Sequence, residues 1–448
     1  MSKQLHEAFI GRIQGQFADA DKFLSAIEQT PYYSVRQNVA KRTDMGLPIG
    51  KPVPWCPDAY YLCERPNYTL NPLFHAGAFY PQEASSMYLW HVLSSVSEHL
   101  PQDPIVLDLC AAPGGKTTLL ASYFGGRGVL VANEVVRNRA WILRENIAKW
   151  GCPNALVTNA EPARFGAEGA MFDLLVIDAP CSGEGMFRKD DVAVAEWTPE
   201  NAAMCAARQR TIIADVWDAV VEGGVVIYST CTFNPEENER NMQWIDSEYD
   251  VEFLRIPVVP QSCVTVVPFA QGEGYGFYPH KVEGEGFFIC AMRKLSGRYR
   301  KPAKDKQKTT KATVPINCLK EQSSYDFYNI ENKIVALPRQ QSALMLRIAN
   351  SYKSMLCGIE TGEFIRKDFI PSAMLPLSAA FAADSYPTAE LTADEALHYL
   401  RGEWTATQPL AQGWNVVGFN GCRLGFAKAV GNRVNNYYPK EWRIKMKI

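Results

Sequence analysis

Short apolar runs alternate with helical patterns through the middle of the chain. These runs are IVLDL (105–109), VLVANE (129–134), ALVTNA (155–160), DLLVIDAP (173–180) and GGVVIYST (223–230). Strands that alternate with helix-length segments are typical of a parallel sheet with crossover helices. We therefore predict an α/β core, to which GFFICAMRK (286–294) adds a final edge or reversed strand.

The two ends of the chain have different patterns. From residue 3 to about residue 28, apolar residues recur near helical spacing until Pro31 ends the pattern, and a mixed, proline-rich stretch follows to about His75. Near the other end, Asn420 and Gly421 form a hairpin signal between two strand-like runs, which predicts a small β-rich domain. We predict four parts: an N-terminal region (1–76), the core (77–294), a basic linker (295–322) and a C-terminal domain (323–448).

Length and composition are those of an ordinary globular protein. With 448 residues the chain exceeds what one hydrophobic core usually serves, and 47% of its residues are hydrophobic and 21% charged. The N-terminus lacks the pattern of a secretory signal, and no apolar run is long enough to span a membrane, so we expect a cytoplasmic protein without a membrane partner. The 12 cysteines are scattered, and none clusters with the six histidines at zinc-ligand spacing, so we expect no metal site.

Positive charge is local rather than global. The 46 basic and 48 acidic residues give a net charge of −2, which excludes a strong overall field for nucleic acid. However, segment 293–311 contains nine basic residues and one acidic residue, and it is either a tether to phosphate backbone or a solvated connector. Segment 423–447 contains seven basic residues and one acidic residue, interleaved with Tyr437, Tyr438 and Trp442. This combination suits RNA by stacking and phosphate pairing, or a plain solvated surface.

A loop of small residues follows Asp108 and opens a helix. It consists of Cys110, Ala111, Ala112, Pro113, Gly114, Gly115 and Lys116. Small residues let the backbone approach a ligand closely, and the two candidates are a nucleotide phosphate and a nucleoside cofactor. A phosphate-binding P-loop would need glycine where this chain has Cys110, so we disfavour an NTPase. Glu134 ends the next strand and suits hydrogen bonds from a ribose diol, which favours the nucleoside cofactor.

Two cysteines follow the fourth and fifth predicted strands. Cys181 stands in DAPCSGEG (178–185), and Cys231 stands in YSTCTFNPEENE (228–239). In an open parallel sheet, the carboxyl ends of the strands form the ligand-binding edge. We therefore predict that both thiols converge on one substrate, whereas the other cysteines are structural, with Cys110 lining the cofactor loop through its backbone.

Three motifs resemble those of the RNA cytosine-C5 methyltransferases of the Nop/Sun group. They are CAAPGGKT (110–117), DAPCSGEG and YSTCTFNPEENE, and the resemblance covers about residues 79–294. The basic ending, which includes YYPKEWR (437–443), is similar to the C-terminal module of the branch that acts on small-subunit ribosomal RNA. The resemblance implies a Rossmann-like, S-adenosylmethionine-dependent core between an N-terminal α/β substrate-binding region and a PUA-like C-terminal domain, both of which bind RNA.

The resemblance also implies roles for individual residues. Cys231 would attack carbon 6 of cytosine, Cys181 would assist product release, and Asp178 would contact both the substrate and the cofactor region. The cofactor S-adenosylmethionine would lie on residues 110–116, Glu134, Glu161 and Asp178. At position 161 the family more often has aspartate.

The chemistry requires these residue types independently of the family. Carbon 5 of cytosine reacts poorly with a methyl donor unless a nucleophile first adds at carbon 6, so a thiolate such as that of Cys231 is needed. A second group must then remove the proton from carbon 5, which explains two cysteines. We expect a monomeric enzyme whose partner is small-subunit ribosomal RNA or the assembled subunit, contacted by Lys189, Lys440 and Arg443.

Three other functions stay open. A DNA cytosine-C5 methyltransferase would carry its nucleophile in a Pro-Cys pair, which Pro180 and Cys181 supply, but Cys231 and the RNA-like tail favour RNA. Transfer RNA is an alternative substrate. A ribosome-assembly or RNA-binding factor without catalysis is the third, although such a protein would be expected to lose at least one of the two cysteines.

Overall fold

The N-terminal helical pattern corresponds to two helices. In the computed structural model, which describes residues 3–297 and 309–446, α1 (Glu7–Gln16) and α2 (Ala20–Ile27) are separated at Phe17, whose backbone is extended. Each helix buries one apolar face against the core, with Phe9 and Phe23 at the centre of the contact. Residues 298–308, the middle of the predicted basic linker, lie outside the described residues.

A four-stranded antiparallel sheet follows these helices. Its strands are β1 (Tyr33–Gln37), β2 (Ile49–Pro52), β3 (Ala59–Leu62) and β4 (Phe79–Pro81), in the spatial order β2-β3-β1-β4, with the short helix α3 (Pro72–His75) before β4. Arg36 of β1 is fully buried and joins this sheet to the core. Its guanidinium donates to Thr118 Oγ1 at 2.6 Å and to Gln82 Oε1 at 3.1 Å, and it lies 4.7 Å from the ring centre of Trp150.

The core contains the predicted alternation of strands and helices. Its parallel strands are β5 (Ile105–Asp108), β6 (Val129–Asn133), β7 (Ala155–Thr158), β8 (Phe172–Asp178) and β9 (Val220–Thr230). The helices are α4 (Leu89–Ser95), α5 (Gly115–Phe124), α6 (Arg137–Trp150), α7 (Pro162–Glu168), α8 (Asp191–Glu196), α9 (Pro199–Val216) and α10 (Glu239–Glu248). Four further strands are β10 (Val251–Leu254), β11 (Thr265–Phe269), β12 (Gly272–Phe277) and β13 (Phe287–Lys294). The α/β, Rossmann-like fold class is confirmed.

The order of the strands determines where a ligand can bind. The large sheet runs β11-β12-β13-β9-β8-β5-β6-β7, with β10 also paired to β13. Strand β13 is antiparallel to β9, so GFFICAMRK is the reversed strand expected, but it lies inside the sheet because β12 pairs with its other side. The chain moves outward from β5 to β7 and then returns to β8 on the other side of β5. Ligands of such sheets bind at the carboxyl ends of the strands, at the point where the direction reverses.

The C-terminal part forms two small sheets, as the β-rich prediction required. The first contains β14 (Thr310–Lys311), β15 (Tyr325–Ile330), β16 (Lys333–Pro338), β18 (Ile359–Ile365) and β19 (Asp368–Pro371), and the second contains β20 (Thr388–Glu390), β21 (Gly413–Phe419), β22 (Cys422–Val430) and β23 (Arg433–Asn436). The helices are α11 (Ser342–Tyr352) and α12 (Ala393–Arg401). Asn420 and Gly421 form the predicted turn between β21 and β22, both with positive φ, as a tight hairpin requires.

One C-terminal strand belongs to the core sheet. Strand β17 (Ser354–Cys357) pairs antiparallel with β7. Helix α11, which precedes it, packs into the largest hydrophobic cluster of the core, where the ring of Tyr352 stacks on Phe165 at 4.2 Å between centroids. The C-terminal part is therefore joined to the core by backbone pairing as well as by side-chain packing, and the domain boundaries given above stay a prediction.

The aromatic residues of the basic tail are mostly buried. Tyr438 and Trp442 are 2% and 6% exposed, and the ammonium of Lys149 in α6 lies 5.3 Å from the ring centre of Trp442. The hypothesis that these two rings stack on RNA is therefore wrong, and of the three aromatic residues only Tyr437 has an exposed ring. Within residues 3–297 and 309–446, no helix is both long and apolar enough to cross a membrane.

A buried ion pair ties α6 to the C-terminal part. Arg144 Nη2 lies 2.6 Å from Glu360 Oε1, and the two side chains are 9% and 8% exposed. The Nε of Arg144 also donates to the carbonyl oxygen of Met355, a residue of β17, at 2.8 Å. Lys333 Nζ also lies 2.8 Å from Glu360 Oε2, so loss of Arg144 leaves the buried Glu360 with one cation instead of two, which is unfavourable away from water.

We expect Arg144→Ala to lower the free energy of unfolding by about 3 kcal/mol, because Glu360 stays buried with one cation fewer. Urea denaturation of the full chain measures the effect. Arg42→Ala is the matched control, since Arg42 pairs with Asp58 but is 63% exposed, and we expect it to cost less than about 1 kcal/mol. Equal losses for the two variants would contradict the assignment.

Candidate active site

The two predicted cysteines meet at the carboxyl edge of the sheet. Strand β8 ends at Asp178 and β9 ends at Thr230, and these neighbouring parallel strands place their following loops side by side. The sulfur atoms of Cys181 and Cys231 lie 3.0 Å apart. The sequence-based prediction that both thiols converge on one position therefore agrees with the geometry.

The two thiols have different environments. The hydrogen bond to Cys231 is the main cause that raises the pKa of Cys181 well above its ordinary value, and burial and the nearby Glu237 carboxyl act in the same direction. The thiol of Cys181 therefore stays protonated at neutral pH. Either sulfur can donate in this contact, and the raised pKa of Cys181 favours Cys181 as the donor and Cys231 as the reactive sulfur.

Close backbone packing holds the two loops together. The N–H of Gly185 donates to the carbonyl oxygen of Cys231 at 2.8 Å. A Cβ atom added at Gly185 would lie 2.7 Å from that oxygen and 2.5 Å from the carbonyl oxygen of Gly286. Position 185 therefore requires glycine for the approach of the loops, independently of any backbone dihedral.

Glu237 is a site residue that the sequence analysis did not single out. Its buried carboxylate accepts from the N–H of Ser182 at 3.0 Å, from the Ser182 hydroxyl, and from Gln209 Nε2 at 2.8 Å. It thereby fixes the residue after Cys181, while its own main chain follows Cys231. Burial raises the pKa of Glu237 to about 7. Its position in the YSTCTFNPEENE string was the only available signal.

Asp178 lies between the thiols and the cofactor loop. Its Oδ1 is 2.8 Å from Lys116 Nζ and accepts from the Ser229 hydroxyl at 3.0 Å. The Asp178 side chain is 36% exposed, so a ligand at the edge of the sheet can reach it, whereas that of Lys116 is 11% exposed. The Lys116 ammonium also lies 5.0 Å from the ring centre of Phe287. Lys116 therefore joins the loop 110–116 to the site of the cysteines.

The loop 110–116 joins the end of β5 to the start of α5. Gly114 has φ +117° and precedes the first residue of the helix. Asp108 is fully buried and accepts from Thr117 Oγ1 at 2.6 Å, while its Oδ1 has no hydrogen-bond donor in the described part of the chain. Burial raises the pKa of Asp108 to about 7 and raises the pKa of Cys110 as well. Cys110 is therefore a neutral thiol, in agreement with a role through its backbone alone.

Two predicted acidic residues follow β6 and β7. Glu134 is buried, and its Oε1 accepts from the N–H of Val136 at 2.9 Å, whereas its Oε2 has no hydrogen-bond donor among the described residues and lies 3.5 Å from Arg139. Glu161 is exposed and precedes α7. Asn159 donates to the carbonyl oxygen of Glu134 at 2.6 Å, which holds the loop of Glu161 next to that of Glu134.

The predicted RNA-binding residues are not brought together. Lys189 lies beyond Cys181 in the same loop, 3.5 Å from Glu285. Lys440 is exposed, and Arg443 packs against Gly402, the residue after α12. Its neighbour Trp442 contacts Lys149 in the last turn of α6, so this part of the tail lies at that end of the helix. Helix α6 begins at the carboxyl edge of the sheet, and its 14 residues extend about 21 Å, so its last turn is remote from the thiols.

A metal ion in a protein is held by several histidine, cysteine, aspartate or glutamate side chains that lie close together. Within residues 3–297 and 309–446, no three of them come together in such a group.

The protonation of Glu237 makes stability depend on pH. An acid whose pKa is raised by folding stabilises the folded state below its ordinary pKa of 4.5, and this contribution is lost as the pH rises through about 7. We expect the free energy of unfolding of the wild type to fall relative to Glu237→Gln over this range, by at most about 3 kcal/mol. Chemical denaturation at several pH values measures the difference. Glu236→Gln, at a half-exposed neighbour, is the control, and a constant difference for Glu237→Gln would contradict the assignment.

Three family models match successive parts of the chain. The model described as 16S rRNA methyltransferase RsmB/F matches residues 98–293. The model of the N-terminal domain of 16S rRNA methyltransferase RsmF matches residues 5–84, and that of the methyltransferase RsmF PUA domain matches residues 386–444. These ranges contain, respectively, both cysteines with the cofactor loop, the N-terminal sheet, and the second C-terminal sheet.

Named relatives extend the similarity to almost the whole chain. The proteins called ribosomal RNA small subunit methyltransferase F from Salmonella agona and Salmonella newport are each 32% identical over 94% of this chain and 92% of their own length. A methyltransferase homolog protein from Pyrococcus horikoshii is 29% identical, with a TM-score of 0.55 over 65% of this chain and 96% of its own.

A second solved structure agrees in fold. The crystal structure of NSun6 from Pyrococcus horikoshii with SFG is 21% identical, with a TM-score of 0.56 over 66% of this chain and 100% of that one. Because a relative is 32% identical over more than nine-tenths of both chains, and three family models match successive parts of the sequence, this chain belongs to the RsmB/F family of 16S rRNA methyltransferases.

Proposed function

We propose that this chain methylates carbon 5 of cytosine in small-subunit ribosomal RNA, in the cytoplasm, through a covalent adduct of Cys231 with S-adenosylmethionine as methyl donor. The observation that carries the proposal is the pair of thiols 3.0 Å apart at the carboxyl edge, beside Asp178 and the cofactor loop. A reaction at carbon 5 of cytosine needs a nucleophile and a separate proton acceptor at one position, and this pair supplies both.

The first step is addition of the Cys231 sulfur to carbon 6. A sulfur–carbon bond forms, the carbon 5–carbon 6 double bond opens, and the ring gains negative charge toward N3. The proton that the Cys231 thiol gives up passes to N3 as that charge develops. The Asp178 carboxylate, held 2.8 Å from Lys116 Nζ, accepts a hydrogen bond from the protonated N3.

The residues around the cofactor loop fit a nucleoside with free hydroxyl groups. Glu134 Oε2 and Asp108 Oδ1 are buried acceptors with no hydrogen-bond donor within the described residues, and both lie at the carboxyl edge. Residues 110–116, Glu134, Glu161 and Asp178 would hold the cofactor. S-adenosylmethionine, when bound there, would supply an electrophilic methyl group to carbon 5, with its own sulfonium sulfur as the leaving group.

Release requires loss of the proton from carbon 5. That proton leaves to a base, its bonding electrons re-form the carbon 5–carbon 6 double bond, and the bond between carbon 6 and the Cys231 sulfur breaks. The departing sulfur takes up the proton that N3 releases. The base is a water that Cys181 orders, or the Cys181 sulfur after its own proton has passed to solvent.

The relatives favour ribosomal RNA over transfer RNA or DNA. They are named ribosomal RNA small subunit methyltransferase F, and the similarity includes the C-terminal sheet matched by the PUA domain of that family. We therefore propose that the N-terminal and C-terminal regions hold the RNA while the core performs the chemistry. Retention of both cysteines, Asp178 and the cofactor loop disfavours a factor without catalysis.

We expect Cys181→Ala to accumulate a covalent protein–RNA adduct, because addition and methylation proceed while removal of the carbon 5 proton is slowed. The adduct should survive denaturing electrophoresis after incubation with small-subunit particles and S-adenosylmethionine. Bisulfite sequencing of the RNA then identifies the modified position as cytosine.

The other cysteine provides the control. Cys231→Ala should form no adduct and transfer no tritiated methyl group, and the double variant should behave like it. An adduct that persists in Cys231→Ala would move the nucleophile elsewhere, and absence of an adduct in Cys181→Ala would remove Cys181 from the release step.

For the cofactor, we expect Glu134→Ala to weaken binding of S-adenosylmethionine by about 1.5–3 kcal/mol, because charge-assisted hydrogen bonds to a hydroxyl group are lost. Glu161→Ala should cost less, since Glu161 is exposed. Isothermal titration calorimetry measures both. Affinities like that of the wild type for both variants would show that these carboxylates do not contact the cofactor.

A further inference from the structure

A cavity of about 300 Å³ lies between the N-terminal sheet and the Cys181 loop. One wall comes from the N-terminal region, with Tyr32, Tyr33, Arg65 and Tyr68, and another from Arg188 and Lys189 of the loop that carries Cys181. The proposed reaction gives a role to Cys181 in that loop but none to this cavity. Its size is at the lower end for small ligands, comparable to one nucleotide rather than a helix.

Gln82 places the cavity beside the active site. It lines the cavity, and a Cβ atom added at Gly115 would lie 3.7 Å from Gln82 Cδ. Arg188 and Lys189 follow Cys181 by only seven and eight residues. The cavity therefore adjoins the cofactor loop on one side and the continuation of the Cys181 loop on the other.

Aromatic rings and cations alternate along the walls. Tyr32 is 40% exposed, and the guanidinium carbon of Arg188 lies 5.7 Å from its ring centre. Arg65 is exposed and lies 5.8 Å from the ring centre of Tyr33, with no carboxylate within ion-pair distance in the described part of the chain. An aromatic ring beside an unpaired cation, as Tyr33 lies beside Arg65, is a combination with which proteins bind single-stranded RNA, since bases stack and phosphates pair.

The acidic groups nearby do not cancel this charge. The carboxylate of Glu83, which lines the cavity, accepts from the backbone N–H groups of Ser85, Ser86 and Glu285 at 2.9–3.0 Å. The carboxylate of Glu285 lies 3.5 Å from both Arg188 and Lys189, so it offsets one of their two charges. The three cations Arg65, Arg188 and Lys189 therefore face two carboxylates, Glu83 and Glu285, and the cavity keeps one positive charge in excess.

We propose that this cavity binds a nucleotide that flanks the target cytosine in the RNA substrate, with Tyr32 as a stacking surface and Arg65 and Lys189 as phosphate contacts. The proposal rests on the proposed function, because it assigns a substrate subsite to the same reaction. A target base that is rotated toward Cys231 leaves its neighbours unstacked, and a ring next to the active site compensates for the lost stacking.

The test compares Arg65→Ala with Arg42→Ala, an exposed arginine of the same N-terminal region that does not line the cavity. For Arg65→Ala we expect KM for small-subunit ribosomal RNA to rise about tenfold with kcat unchanged, as for a lost charge-assisted contact. The slope of log affinity against log salt should fall by about 0.7 for one single-stranded phosphate contact. Arg42→Ala should change neither quantity.

Tyr32 tests the stacking part of the proposal. Tyr32→Ala should raise KM severalfold, whereas Tyr32→Phe should retain the affinity of the wild type because the ring is kept. Equal effects of Tyr32→Ala and Tyr32→Phe would exclude stacking and overturn that part. Circular dichroism of each variant checks that its fold is unchanged.

Three results would overturn the subsite. The first is an effect of Arg65→Ala no larger than that of Arg42→Ala, and the second is a fall in kcat at constant KM. The third is weaker binding to assembled small subunits with unchanged binding to naked RNA, which would identify a ribosomal protein as the ligand. RNA affinity is measured separately from methyl transfer, so failure of the proposed cytosine chemistry would leave this comparison intact and distinguishable.

Discussion

Two buried carboxylates hold the loops that carry the thiols against each other. Glu237 binds the backbone and hydroxyl of Ser182, and Glu184 accepts from the N–H of Phe233 at 3.2 Å and from Arg12 at 2.6 Å. Only one rotatable bond, Cα–Cβ, sets the position of each cysteine sulfur relative to its backbone. The 3.0 Å distance between the two sulfur atoms is therefore determined mainly by where the two backbones lie. The relative position of the two sulfur atoms in the proposed reaction therefore depends on the hydrogen bonds that hold these loops.

The N-terminal helices are part of this support. Arg12 of α1 compensates the buried charge of Glu184, and Gln16 of the same helix donates to the carbonyl oxygen of Phe233 at 3.2 Å. The pKa of Glu184 is raised by burial, and the Arg12 guanidinium opposes that shift. Glu237 is neutral at low pH and charged above about pH 7, whereas Glu184 keeps a cation beside it. A region expected only to bind substrate thus also stabilises the loops around Cys231.

The sequence predicted what local patterns encode. The alternating runs gave the parallel strands, the DAPCSGEG and YSTCTFNPEENE strings gave the cysteine pair, and the Asn420-Gly421 dipeptide gave the hairpin. It could not predict contacts between distant segments. Strand β17 lies in the segment that was predicted to be a separate β-rich domain, because its pairing with β7 leaves no signal in the local sequence. Likewise, Tyr438 and Trp442 have the composition of an RNA-binding tail, and only the tertiary packing shows that their rings are covered.

Strand β17 has a consequence for how the protein is made. Until residues 354–357 leave the ribosome, β7 is an unpaired edge of a hydrophobic sheet, and such edges pair readily with other chains. About 200 residues separate β7 from β17, so at ordinary rates of synthesis the edge stays open for roughly 10–40 s. During this interval the backbone N–H and C=O groups at the outer side of β7 are available for pairing with other chains. A truncated product that lacks the end of the chain stays in that state, and so is exposed to proteolysis and aggregation.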